Sequence, residues 1–176
     1  MRKLMIFVGV VVFFASCGAR RTVIEDPAMY DVGVVINGVR WATSNVDTPG
    51  IFAKNPESAG GLFTWHEAQD VCPCGWRLPT QDELRSLVNV IDGEWITVNG
   101  VDGGTFGTAP NHLFLPAAGW RCGSDGTISF VGVDGHYWSS TQYDSVFVMA
   151  LGLNSGFVGF GYGFRADGFS VRCVAK

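Results

Sequence analysis

The stretch Thr64-Trp-His-Glu-Ala-Gln-Asp-Val-Cys-Pro-Cys-Gly-Trp-Arg-Leu-Pro-Thr-Gln-Asp-Glu-Leu-Arg-Ser-Leu-Val-Asn-Val-Ile91 opens two helices with the same device. In Thr64-x-x-Glu67, and again in Thr80-x-x-Glu83, the threonine hydroxyl can accept from an orphan N–H while the glutamate reaches back to the threonine N–H. This spacing predicts one helix from Trp65 to about Val71 and another from Gln81 to Ile91. The second puts Leu84, Leu87, Val88 and Ile91 at i, i+3, i+4 and i+7, one apolar stripe, with Asp82, Glu83 and Arg85 on its polar face. Leu78-Pro79 keeps the two apart, because a residue before proline avoids the helical region.

Upstream, Asp31 to Ile36 and Val39 to Thr43 flank Asn37-Gly38, the pair that supplies both positive φ angles of a two-residue hairpin turn. Asn45 to Gly61 holds Pro49, Gly50, Pro56, Gly60 and Gly61 and reads as a loop. From Asp92 onward the helical period is gone. Trp95–Val98, Leu113–Leu115, Thr127–Val131, Tyr137–Trp138, Val146–Leu153, Phe157–Phe164 and Phe169–Val174 are short apolar runs among glycines, and read as strands. Val146 to Leu151 is unbroken, as expected of a strand buried on both faces. In the next run Phe160, Tyr162 and Phe164 alternate with Gly159, Gly161 and Gly163, so rings line one face and the other is bare. That row reads first as core aromatics packed over a helix, and second as a platform for stacking a sugar. A hairpin, two helices and a long meander together predict an α+β class: two helices packed on an antiparallel β-sheet with long loops.

The chain has 176 residues, which suits one domain. Met1-Arg2-Lys3 precedes twelve uncharged residues, Leu4 to Ala15, too short for a bilayer core and matching the apolar region of a secretory signal. Phe14-Ala-Ser-Cys17 resembles a bacterial lipobox, which implies cleavage before Cys17 and lipid on its thiol and new amine. More than one acyl chain is needed for a stable anchor. The expected organisation is a signal over residues 1–16, a lipidated tether over 17–31 and a domain over 32–174. Removing Arg2 and Lys3 leaves 10 Lys+Arg against 16 Asp+Glu, so the formal charge moves from −4 to −6. No basic cluster exceeds Arg20-Arg21, which excludes a nucleic-acid partner. The expected location is the outer membrane, lipid-anchored, facing the periplasm or the cell surface. The non-acidic Gly18-Ala-Arg-Arg21 leans toward the periplasm.

An exported chain sits in an oxidising compartment, so Cys72, Cys74, Cys122 and Cys173 are expected to pair. A Cys72–Cys74 ring is disfavoured as too tight. The expected set is Cys72–Cys173 with Cys74–Cys122, the exchanged set staying open. A Cys72–Cys173 bond would pin the first helix to the last strand. No C-x2-C or H-x3-H spacing joins these thiols to His66, His112 or His136, so no metal and no cofactor is expected.

Four stretches carry a family resemblance: Trp41-Ala-Thr-Ser-Asn45, Cys72-Pro-Cys-Gly-Trp-Arg-Leu-Pro-Thr80, Leu113-Phe-Leu-Pro-Ala-Ala-Gly119 and Tyr137-Trp-Ser-Ser-Thr141, with Ser170-Val-Arg-Cys-Val174 closing the chain. Their order resembles the Fibrobacter succinogenes major paralogous domain family, common in exported proteins of Bacteroidetes, over about Val35 to Val174. The resemblance implies a C-type lectin-like fold, which also holds the formylglycine-generating enzymes. Those enzymes use a pair of reactive cysteines near the C-terminus, and this chain has only Cys173 there. No G-x-S-x-G, H-E-x-x-H or P-loop is present, so no enzyme is expected. Arg77 and Arg172 are flanked by apolar residues, and each is expected to need a carboxylate or carbonyl partner.

The expected function is a binding or adhesion module for a protein or glycan, with a structural envelope subunit as the alternative. The ligand face implied by the fold is the region from Asp92 to His136. Its candidate residues are Trp95, Asn99, Asp102, His112, Asp125, Asp134 and His136. Trp95 beside Glu94 could stack a sugar while a carboxylate accepts its hydroxyls. Ala109-Pro-Asn111 lacks the acid that calcium-binding lectins place before Pro-Asn, and no EF-hand pattern appears.

Overall fold

The computed structural model describes residues 31–88 and 94–176. The expected signal over 1–16, the lipidation site Cys17, the tether up to residue 30 and the last turn of the second helix lie outside the described residues. Among the described residues no helix is long and apolar enough to cross a membrane.

Strands β1 (Val34–Ile36) and β2 (Val39–Trp41) form the expected hairpin, with Asn37 at φ 50° and Gly38 at φ 80°. Strand β3 (Val46–Thr48) pairs with β4 (Ile51–Phe52) inside the segment expected to be a plain loop. Helix α1 (Trp65–Ala68) has the complete capping box: Glu67 N donates to Thr64 Oγ1, and Thr64 N donates to Glu67 Oε2 at 2.8 Å. It stops after one turn because Asp70 N turns back to the Glu67 carbonyl and Cys72 is tied elsewhere. Strand β5 (Trp76–Arg77) leads into α2 (Gln81–Val88), which buries Leu84 and Leu87 as the stripe predicts. Its box is complete too, with Glu83 N on Thr80 Oγ1 and Thr80 N on Glu83 Oε2.

The rest is strand: β6 (Glu94–Val98), β7 (Val101–Thr108), β8 (Asn111–Pro116), β9 (Trp120–Arg121), β10 (Ile128–Ser129), β11 (Gly135–Gln142), β12 (Phe147–Asn154), β13 (Phe157–Phe164) and β14 (Val174–Ala175). They assemble into sheets ordered β1-β2-β14-β5, β6-β7-β8 and β11-β12-β13, with β3-β4 and β9-β10 as two-stranded pairs. This corrects the expected fold. The chain is not a C-type lectin-like α+β domain with two helices packed on one antiparallel sheet; it is a mostly β molecule of several small sheets, and its helices hold four and eight residues. The physical reason is local closure. Tight turns fold most strands onto a sequence neighbour, as at Asn99-Gly100 between β6 and β7, where φ is 50° and 84°, while β14 pairs with the distant β2 and β5. Hairpins that close locally leave no continuous sheet for a helix pair to cover.

The sheet β11-β12-β13 is a septum between two apolar cores. Val148 and Ala150 point to one side with Phe63, Trp65, Trp138, Phe169 and Val171. Leu151 and Leu153 point to the other with Trp41, Leu84, Leu87, Phe106 and Tyr137. Strand β12 is therefore buried on both faces, as its unbroken apolar run predicts. Tyr137 and Trp138 alternate across β11 in the same way. Gly163 has no Cβ, which lets the Phe169 and Trp138 rings lie directly on the β13 backbone; a Cβ there would sit 2.5 Å from the Phe169 ring.

The Cys72–Cys173 disulfide ties the end of the α1 segment to the last strand across 101 residues. Closing a loop of that length contributes about 4–5 kcal/mol in the loop-entropy treatment. The expected Cys74–Cys122 bond is not formed, because Cys122 carries a free thiol. Its backbone closes the tight turn between β9 and β10, with Cys122 N on Thr127 O and Gly126 N on Cys122 O, and its sulfur lies 3.1 Å from Ser124 Oγ. Cys74 lies in a different turn, where Trp76 N reaches back to the Pro73 carbonyl beside β5.

Candidate functional site

Two chain segments nearly sixty residues apart meet at one end of the molecule. Glu94 and Trp95 open β6, and Asn154 to Val158 make the hairpin turn from β12 to β13. Between them lies a cleft of about 260 Å³, lined by Glu94, Trp95, Phe106, Asn154, Phe157 and Val158 with the turn residues. Its size is just below the usual range of about 300–1,000 Å³ for small-ligand sites. Trp95 is half-buried and packs against the core around Phe106 and Leu153, which holds its ring in place. Phe157 is 57% exposed. The Asn154 Oδ1 is occupied by the Gly156 N–H at 3.0 Å, so its amide N–H groups stay available. The cleft thus brings the Trp95 ring together with a carboxylate acceptor and an amide donor, while the Phe157 ring folds over Gly159 on the opposite face of β13.

The other sequence candidates do not gather there. Asn99 occupies the positive-φ turn of β6–β7 and donates to Glu57 Oε1 at 2.8 Å. Asn99-Gly100 is the same dipeptide as Asn37-Gly38, and this signal was available for reading it as a turn. Asp102 faces Thr97 across the hairpin and accepts its hydroxyl. His112 is exposed on β8, opposite Gly107. Asp125 makes a turn of its own, accepting from Thr127 N at 2.9 Å, and these bonds hold its carboxyl below the ordinary range. Only Asp134 and His136 are brought together. The His136 ring lies 5.0 Å from Phe169 and 6.4 Å from Trp120. Burial lowers its pKa, against the opposing pull of Asp134 and Asp167, so the ring is neutral near pH 7. It is part of the aromatic packing behind β11. Of the seven candidates, Trp95 alone lines the cleft. Asn154 and Phe157 join it from a stretch the sequence marked only as a turn and a strand.

Both arginines found partners. Arg77 makes a bidentate pair with Glu83 at 2.6 and 2.8 Å, the carboxylate that also caps α2. Arg172 is fully buried, and among the described residues no carboxylate is in contact with it. Its Nε donates to Asn45 Oδ1 at 2.8 Å and its Nη1 to the carbonyls of Ala42 and Thr43. Beside it Tyr137 donates its hydroxyl to the Pro116 carbonyl at 2.7 Å, and burial pushes that phenol up to about 12.

A second aromatic group lies on β13. Tyr162 stacks on Tyr143 with centroids 5.2 Å apart and planes 12° apart, and Phe147 packs its edge against Tyr162 at 4.9 Å. Tyr143 and Tyr162 are 61% and 59% exposed. Phe160, next along the same face, is partly buried under the Arg85 guanidinium, 5.0 Å from the ring centroid. The row expected to be core aromatics over a helix is therefore divided: Phe160 packs beside α2, while Tyr162 and Phe164 stand in solvent.

Among the described residues no group of three His, Cys, Asp or Glu side chains is placed to hold a metal. A domain of unknown function, DUF8237, matches residues 107–174, less than half of the chain. The matched part carries β8 to β13 and the Asn154–Val158 side of the cleft, and leaves out Glu94 and Trp95. No curated protein matches the chain. No solved structure matches it either.

Proposed function

We propose that the chain is an exported, lipid-anchored module that binds a glycan in the cleft between Trp95 and the β12–β13 turn. One observation carries this reading: Trp95 and Phe157 line the same cleft as the Glu94 carboxylate and the Asn154 amide. Aromatic rings offer flat apolar faces to the C–H side of a sugar, while carboxylate and amide groups take its hydroxyls. The anchor is supported by the lipobox-like Phe14-Ala-Ser-Cys17 after twelve uncharged residues. The motif resemblance to the paralogous family of exported proteins supports the same setting.

A glycan array with and without chelator tests the cleft. The expected result is a signal that survives chelator and is lost in Trp95→Ala, with the affinity for any bound glycan down about tenfold. An array silent in both arms overturns it. The anchor is tested by growth with labelled palmitate. Label is expected on the parent chain and absent from Cys17→Ala; label surviving that substitution overturns the anchor.

A further inference from the structure

The cleft leaves unused the exposed row on β13. Val158 lines the cleft and is paired with Leu153; Phe160, Tyr162 and Phe164 follow it on the same sheet face, paired with Leu151, Met149 and Phe147. The row therefore begins inside the cleft and runs along the strand to the Tyr143–Tyr162 stack. At about 3.3 Å per residue, Val158 to Tyr162 spans about 13 Å. Rings this exposed and this grouped mark a binding surface more often than chance exposure does.

We infer that cleft and row form one track, and that the track takes a linear, uncharged, β-1,4-linked glycan lying along β13. This rests on the glycan reading of the cleft and names the ligand class of that site. Charge argues for it first. From Asn154 to Phe164 the chain carries no Asp, Glu, Lys, Arg or His. The cation beside the row, Arg85, sits over Phe160. Arg165, at the far end beside Tyr143, is held by Gln142, the Asp144 carbonyl and the Trp65 ring, so a polyanionic chain would find little free positive charge along this length, whereas an uncharged chain loses no ionic solvation by docking.

Spacing argues for it next. The row alternates what it offers: the Trp95 ring beside Val158, guanidinium N–H donors where Arg85 covers Phe160, then the outer ring face and hydroxyls of the tyrosine pair. A β-1,4-linked ribbon is flat and extended, with apolar C–H faces and hydroxyls along its edges, so it can meet these stations in turn. An α-linked chain curls and would leave the row after the cleft. The strand edge contributes as well. β13 pairs only with β12 among the described residues, which leaves one edge of its backbone N–H and C=O groups open to hydroxyls. Such an open apolar edge also offers itself to a second copy of this chain, and the test must tell the two apart.

The experiment is calorimetric titration of the full chain in detergent with β-1,4-glucan and β-1,4-mannan oligosaccharides, from the disaccharide to the hexasaccharide, and with the α-1,4-glucan series. Parent, Trp95→Ala and Tyr143→Ala/Tyr162→Ala chains are compared, with thermal melting as the folding control for the exposed tyrosines. The expected result for one β-linked series is an affinity that rises at least tenfold from disaccharide to hexasaccharide. The tyrosine double variant should bind the disaccharide like the parent and lose that rise. Trp95→Ala should weaken every length. Disaccharide binding without a length dependence, or an equal rise for the α-linked series, overturns the track and leaves the cleft standing. Undiminished binding in Trp95→Ala overturns the cleft itself. A parent chain that sediments as a dimer, becomes monomeric in the tyrosine variant and binds no β-linked series assigns the row to a second copy and overturns the track.

Discussion

Arg172 keeps its charge with no carboxylate among the described residues in contact, the Asp31 carboxylate favouring it only from a distance. Full burial lowers its pKa to about 10, still well above neutrality, so the guanidinium stays protonated and depends on carbonyl and amide oxygens. Those oxygens belong to Ala42, Thr43 and Asn45, which in turn receive their order from β2 and from the Asp31 carboxylate that accepts from Thr43 and Ser44 N–H groups. Arg172→Ala is expected to destabilise the domain by about 3–5 kcal/mol, read as a lower urea midpoint at unchanged slope. Arg172→Lys should recover little, because an ammonium cannot reproduce the planar fork. A loss below about 1 kcal/mol would contradict this account. The sequence flagged both arginines by their apolar neighbours. It could suggest Glu83 for Arg77, six residues away on the next helix. It could not suggest Asn45 for Arg172, a partner 127 residues upstream that only the completed fold brings near.

The two helices were legible because their start signals are local. Each threonine, glutamate and stripe lies within a few residues, and both capping boxes form. Their lengths were not legible, since α1 ends where the Cys72 crosslink and the Asp70 turn redirect the chain. The strands were legible as apolar runs, but the partition into separate sheets was not, because it depends on how each glycine turn closes. At this scale Glu83 is the residue to test. Its pKa is lowered chiefly by the Arg77 pair, with the Thr80 bonds adding to this, and burial opposes. A carboxyl held below its ordinary value stabilises the fold above about pH 4.5, and that contribution is lost as pH falls through the lowered value. Glu83→Gln should therefore cost about 0.5–1 kcal/mol at pH 7, a modest figure because the Arg77 side of the pair is 41% exposed and screened by solvent. The gap between parent and variant should close as the pH drops below about 4 in pH-resolved urea unfolding. A gap that stays constant from pH 7 to pH 3 would contradict the assignment.

At the scale of the molecule, the β11-β12-β13 septum does two jobs. Its inner strands separate and support two cores, and its outer strand and turn line the cleft beside Trp95 that we propose as the ligand surface. The Cys72–Cys173 bond ties the end of the α1 segment to the last strand. The cleft was only half legible for the same reason that Arg172 was. Glu94-Trp95 could be singled out as a ring beside a carboxylate, but Asn154 and Phe157 reach it through tertiary folding. The remaining candidates were polar residues serving turns and strand pairs. The measurement that decides the matter is calorimetric titration of parent and Trp95→Ala chains, side by side at neutral pH, with the strongest glycan on the array. The glycan reading expects saturable binding to the parent and about tenfold weaker binding to the variant, with thermal melting showing both chains folded at the titration temperature. Equal affinities for the two folded chains would contradict it.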